Sequence, residues 1–210
     1  MLEIELREFD LDDEDFDAVC EFGLEVQSSA ETVADEGDDP LVLAVAHTAH
    51  ALSSAAIDEE IEENVAAGAP PACAAGCAAC CHIPVSVTAA DVAALFVWLQ
   101  TQPEAVRRDV ETRVREALPR ASGERPRGAL PCPILDLDER TCRAYAVRPL
   151  ACRGCFSDDA QLCEEGETLS AFVFPLVVAR GATAGARVAL AAAGENDSTR
   201  DLIVSLAELF

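Results

Sequence analysis

The chain has 210 residues, of which 39 are Asp or Glu and 15 are Lys or Arg, giving a formal charge of -24 and a pI near 4.2. Wrapping of nucleic-acid phosphates relies on clustered cations and an acidic membrane surface repels such a chain, so neither nucleic acid nor membrane is an expected partner. All fifteen basic residues are arginine, a balance that suits a protein kept soluble in concentrated salt and equally a genome biased against lysine codons.

The length allows one fair-sized core or a small domain with helical additions, and a single compact unit is expected. In chain order, residues 1–70 read as an acidic, helical N-terminal extension. Its start, MLEIELREFDLDDEDFD, is acidic where a secretory signal would be basic and then apolar, so export is not expected and the cytoplasm is. Alternation in LEIELREF fits a strand, residues 20–33 are ambiguous, and EGDDP is a break. Residues 41–67 carry apolar positions at Val45, Ala49, Leu52, Ala56, Ile57, Ile61 and Val65, which predicts a long helix ending at Gly68 and Pro70-Pro71.

A helix is predicted from Thr88 as cap, with Asp91 three residues on, where a carboxylate favours a helix start. A second runs from Pro103 to Pro119, followed by a polar loop over 121–131. CPILDLDERTCRAY reads as a hairpin with an acidic turn around Asp138 and Glu139, and with Cys132 and Cys142 on its two arms. Residues 166–210 read as a helical packing segment: an apolar stretch around 172–178, an alanine-rich run to Ala193, and a last helix capped by Ser198 or Asp197. The longest uninterrupted apolar run, AFVFPLVVA, is short of the ~18 residues that cross a bilayer and contains Pro175. The fold class expected is mostly α with a small β-hairpin and an irregular cysteine-rich core over 71–165, flanked by helices.

Nine of the ten cysteines lie between residues 73 and 163: Cys73, Cys77, Cys80, Cys81, Cys132, Cys142, Cys152, Cys155 and Cys163. In a reducing compartment such thiols hold metal or do catalysis, and the disulfide alternative depends on export. Thiolate is the ligand that zinc and iron–sulfur clusters favour, and gaps of two or three residues let one turn of backbone present several sulfurs to one centre. Cys80 and Cys81 are adjacent, so their side chains diverge, which suits two ions, a cluster of several irons, or one ligand beside one packed thiol. The alanines of CAAGCAACC are spacers.

The motifs CAAGCAACCHIPVSVTAAD and CPILDLDERTCRAYAVRPLACRG, with the spacing to Cys163, resemble the CxxCxxCC family of zinc- or iron-chelating cysteine-cluster domains over residues 73–163. The resemblance implies a metal-binding set of Cys73, Cys77, Cys80, Cys81, Cys132, Cys142, Cys152 and Cys163, with an iron–sulfur cluster, iron or zinc as cofactor. Two departures stand out. The first gap has three residues where the family's name has two, and Cys155 falls where the pattern usually has an aromatic. The resemblance also brings labels of iron–sulfur oxidoreductase and flagellin lysine methylase, yet no strand followed by a glycine-rich turn is visible to cradle a nucleotide-type cofactor.

Cys73-x3-Cys77-x2-Cys80 has the spacing that radical S-adenosylmethionine enzymes use, but it follows a predicted helix and a Pro-Pro break rather than a barrel strand. The tight quartet favours iron–sulfur; eight sulfurs suffice for two zinc sites, but the two clean CxxC halves usual for zinc are missing. Arg143, Arg148 and Arg153 are spaced to offset thiolate charge, or else form ordinary surface pairs. His82 is a possible ligand or neighbour of the centre, and His47 and His50 could pinch an ion or sit on an exposed helix face. Asp136, Asp138, Asp158 and Asp159 read as turn formers rather than catalytic carboxylates. Phe96, Trp98 and Leu99 read as core, and Cys20 as a small buried apolar residue. A chelating module and an enzyme that uses the centre for redox or methyl transfer are both compatible with these residues.

Overall fold

The computed structural model describes residues 13–37, 40–121, 130–165 and 173–210. The expected strand in LEIELREF and most of the polar loop lie outside the described residues. Helix α1 (Asp13–Glu36) occupies the segment that reads ambiguously in sequence, and α2 (Leu41–Ala66) follows Pro40 and stops where Gly68 takes φ 82°. Strand β1 (Ser86–Val87) leads into α3 (Ala89–Thr101), and α4 (Glu104–Ala121) carries Pro119 within its last turn. A hairpin of β2 (Leu135–Asp136) and β3 (Thr141–Cys142) precedes short helices α5 (Leu150–Arg153) and α6 (Ala160–Glu165). Helix α7 (Val173–Ala192), strand β4 (Arg200–Asp201) and α8 (Leu202–Ala207) complete the chain. The protein is mostly helical with two small antiparallel strand pairs, β1 with β4 and β2 with β3.

Helices α1, α2 and α7 pack on one another around a core rich in small residues, among them Ala30, Ala46, Ala49, Ala182, Ala186 and Ala189. The smallness is required. A Cβ added at Gly185 would stand 2.2 Å from the Gly23 carbonyl oxygen, and one at Gly181 would stand 2.8 Å from that of Val19, so α1 and α7 meet backbone to backbone. A second core joins α3, α4, the hairpin and α8 through Leu95, Leu99, Val110, Val114, Ile134 and Leu206. Leu99 is buried and Trp98 packs partly against that core, whereas Phe96 is 42% exposed.

By length and composition, α2 and residues Phe174–Ala192 of α7 reach the apolarity of a membrane-crossing helix, which the search for uninterrupted runs passed over because both carry scattered polar residues. Their buried faces supply most of the first core, which accounts for that apolarity.

Thr88 caps α3 with a reciprocal box: its Oγ1 accepts from Asp91 N at 3.1 Å while Asp91 Oδ2 accepts from Thr88 N at 2.9 Å. Asp91 does more than cap. Its Oδ1 accepts from Leu150 N at 2.9 Å, at the start of α5, and from His50 Nε2 on α2 at 3.3 Å. His50 is therefore buried against Asp91 and does not share an exposed face with His47, which corrects the reading of the two as an ion-pinching pair. The last helix also differs from expectation. It starts after Asp201, whose side chain accepts from Ile203 N at 2.9 Å and Val204 N at 3.3 Å, while Ser198 Oγ turns to Asn196 at 2.7 Å. The chain stays extended through Arg200 and Asp201 because those residues pair with Val87 and Ser86.

Replacing Asp91 with Asn removes a buried charge that four donors share and should lower unfolding free energy by about 3 kcal/mol in chemical denaturation. Burial raises the Asp91 carboxyl, but the hydrogen bond and charge of His50 and the backbone donors outweigh it and hold the group below its ordinary value. Its contribution is present above the unfolded carboxylate range and lost as pH falls through the depressed folded value, so the wild-type advantage over Asp91→Asn should shrink below about pH 4. Gly185→Ala should cost about 1–3 kcal/mol by forcing α1 and α7 apart, measured as a lower midpoint at unchanged helix content.

Candidate metal centre

The quartet segment leaves α2 through Pro70-Pro71 and folds by tight turns that the alanines and one glycine permit. Cys77 N donates to Ala74 O at 3.0 Å, closing a turn in which Gly76 takes φ 89°. A positive φ at the third turn position is the signature of a type II turn and is costly for any residue with a Cβ. The three-residue gap between Cys73 and Cys77 thus accommodates a defined turn rather than loose spacing. Cys81 N then donates to Ala78 O at 2.9 Å, and residues Ala79–His82 form one 3₁₀ turn that carries Cys80 and Cys81. Among the described residues no strand precedes the quartet.

Backbone bonds stitch the other sulfur-bearing stretches to this one. Cys132 N donates to Cys81 O at 2.7 Å, and Ala72 N donates to Ser157 O at 2.8 Å. Arg113 on α4 steadies the approach to the hairpin, its guanidinium donating to Cys132 O at 2.8 Å and to Leu135 O. Gly154 lets the turn between Cys152 and Cys155 lie directly on α7, since a Cβ there would stand 2.6 Å from Ala179 Cβ and 2.7 Å from Pro175 O. Leu150, fixed by Asp91, starts the helix that carries Cys152.

The result is one cavity of about 420 Å³. Cys73, Cys77, Cys80 and Cys81 line it from the quartet, Cys132 and Cys142 from the hairpin, and Cys152 and Cys155 from α5 and the turn after it. Cys163 does not line it; that residue sits on α6, close enough to Cys73 to raise its thiol electrostatically. Cys20 lies far away, partly buried against the small cluster of Val19 and Val177. None of the ten cysteines forms a disulfide.

Burial dominates the thiol chemistry. It pushes Cys132 up to about 11, and it raises Cys73, Cys142 and Cys152. Cys80 is the exception. The thiols of Cys155 and Cys81 hydrogen-bond to it and the Arg148 guanidinium adds attraction, holding it well below the ordinary thiol range. The same bonds, together with burial, hold Cys81 and Cys155 protonated. The contacts thus favour the thiolate at Cys80 and the neutral thiol at Cys81 and Cys155 beside it.

Other candidate groups sort themselves by contact. His82 Nδ1 bonds to Ala78 O at 2.9 Å and does not line the cavity. Arg143 pairs with Asp109 at 2.6 Å and Asp136 at 3.2 Å, the ordinary ion-pairing alternative, and Arg153 is buried with a bond to Ala146 O at 3.2 Å. Only Arg148 of the three lines the cavity. Asp136 Oδ1 accepts from Asp138 N and Glu139 N at 3.0 Å each, and Asp159 Oδ1 accepts from Gln161 N at 2.8 Å, so both are turn and cap formers. Sequence reading gave no structural role to Gly76; its signal was a lone glycine inside an alanine series, where every other filler could be helical.

The donor set fits a thiophilic metal: eight sulfurs and no carboxylate or imidazole line the cavity. Among the described residues no three His, Cys, Asp or Glu side chains stand close enough together to hold an ion as they are. No curated protein and no solved structure matches the chain. Residues 72–167 match the family model CxxCxxCC, described as "Putative zinc- or iron-chelating domain", and the sulfur-lined cavity falls inside this span apart from Leu202 on its wall. The matched stretch covers just under half of the chain, and over that stretch the chain is similar to this family.

Proposed function

We propose that the domain holds an iron–sulfur cluster, with zinc the alternative metal, ligated from Cys73, Cys77, Cys80, Cys81, Cys132, Cys142, Cys152 and Cys155. The observation that carries this reading is the convergence of eight thiols from three stretches of chain upon one cavity of about 420 Å³. A four-thiolate zinc ion is enclosed by its own ligands and needs no such room. A cluster of several irons with inorganic sulfide fills more volume than a single ion while taking about four cysteine ligands, and adjacent Cys80 and Cys81 can face different atoms of it. When bound, the group supplies either a structural anchor or one-electron redox chemistry.

This ligand set exchanges Cys163, which the family resemblance implies, for Cys155, which lines the cavity beside Cys80. The protein's own contribution is to gather the sulfurs and to favour the thiolate at Cys80. Arg148 is the cation placed to offset the charge that accumulates as thiols become thiolates. Because metal draws together chain segments that sit 50 or more residues apart, its binding free energy is also folding free energy for the 73–155 region.

Protein purified without air should be brown, with iron and acid-labile sulfide, and chelation should lower its thermal midpoint. A colourless protein with zinc would replace the cluster by zinc sites, and a metal-free one would end the reading. Cys80→Ser and Cys155→Ser should each lose at least half of the bound metal, whereas Cys163→Ser and Cys20→Ser should retain it, measured by elemental analysis on samples of equal helix content. Loss in Cys163→Ser with retention in Cys155→Ser would restore the set implied by the resemblance.

A further inference from the structure

The cavity has a side that metal chelation does not use. Val85, Leu95, Ile134 and Leu202 form an apolar wall on the second core, opposite in chemistry to the sulfur-bearing segments. The cavity's volume of about 420 Å³ is shared between the sulfur side and this wall, so the room beside a metal centre suits only a small organic ligand.

Its charged lining is equally selective. The chain has 39 acidic residues and 15 basic ones, yet among the described residues the Asp, Glu, Lys and Arg side chains on the cavity wall are Arg140 and Arg148 alone. Arg140 is drawn outward to Glu164 at 3.5 Å and is half exposed. Arg148 makes no ion pair among the described residues, and its Nε is buried without a hydrogen-bond partner. Its guanidinium lies 4.2 Å from the Tyr145 ring centre and 5.7 Å from that of Phe156, which orients the planar fork while leaving its N–H groups unspent. A buried donor without a partner is destabilising until something accepts from it. An aromatic-braced, unpaired guanidinium beside an apolar wall matches a carboxylate with a hydrocarbon body: fork to carboxylate, body to wall.

We infer that the cavity binds a small organic carboxylate with an apolar body, anchored by Arg148 next to the sulfur-bearing side. The inference rests on the proposed metal centre only for what occupies the sulfur side, so metal content is measured on the same samples. A phosphate, bulkier in charge and with no apolar body, fits less well because a single unpaired guanidinium faces it.

The test titrates the purified, metal-analysed protein with benzoate and hexanoate, and with benzyl alcohol and inorganic phosphate as controls, by ligand-observed NMR. The carboxylates should bind with Kd on the order of 1 mM, and the controls at least about tenfold more weakly. Arg148→Gln should weaken carboxylate binding at least about tenfold at unchanged helix content, and Arg148→Lys, which keeps the charge but not the fork, should fall between. Carboxylates that bind no better than benzyl alcohol, or equally to the wild type and Arg148→Lys, would overturn the inference, as would phosphate binding as tightly as benzoate. A protein that lacks metal yet shows the expected pattern keeps the carboxylate site and removes the metal reading alone.

Discussion

A single buried carboxylate links the helical scaffold to the sulfur-lined cavity. Asp91 is 2% exposed, and its two oxygens take donors from the start of α3, from His50 on α2 and from Leu150 at the start of α5. An ionised group in that position is tolerable only because every donor is supplied by the fold itself. The consequence reaches the cavity directly. Leu150 is two residues before Cys152, and the α3 cap Thr88 is six residues after His82, so the same carboxylate fixes the relative positions of the quartet segment and the third sulfur-bearing stretch. A helix bundle of alanines and glycines provides closeness but little direction; Asp91 provides the direction.

The two halves of the molecule obtain order from different sources. In the α1, α2 and α7 bundle, small side chains let backbones approach until Gly185 meets the Gly23 carbonyl, so dispersion contact substitutes for large apolar groups. Residues 73–82 bury only Ala78 and are held by isolated backbone bonds such as Cys132 N to Cys81 O. The cavity's thiols are mostly held neutral by burial, since desolvation disfavours each additional thiolate. A thiophilic cation reverses that preference by supplying the opposite charge at the sulfur.

What could be read from the sequence divides along the same line. Interactions between neighbours in the chain were legible: Thr88 with Asp91 as a cap, α2 ending at Gly68, and the hairpin between Cys132 and Cys142 with its Asp-rich turn. Interactions between distant residues were not. His50 looks exposed by its position on α2, and only the fold brings Asp91 against it. Residues 20–33 gave no clear period because α1 presents Gly23 rather than a large residue to α7, so the packing signal is an absence of side chain. The cap of the last helix was misplaced to Asp197 or Ser198 because three acceptors cluster there, and pairing of β4 with β1 decides among them. The choice between Cys155 and Cys163 rests on Gly154, which seats one sulfur turn on α7 while Cys163 stays on the separate helix α6.

Charge completes the picture. With a net -24, the mean field of this chain repels thiolates and carboxylates alike, so a cavity that collects negative groups must be shielded from the acids around it. The wall meets this condition by composition: sulfur, aliphatic carbon and two arginines, with the nearest carboxylates drawn off into turns and caps or paired, as Asp136 is with Arg143 and Glu164 with Arg140. Those surface pairs add little stability of their own. Among the described residues Arg148, stacked on Tyr145, is the arginine of the cavity wall without such a pair.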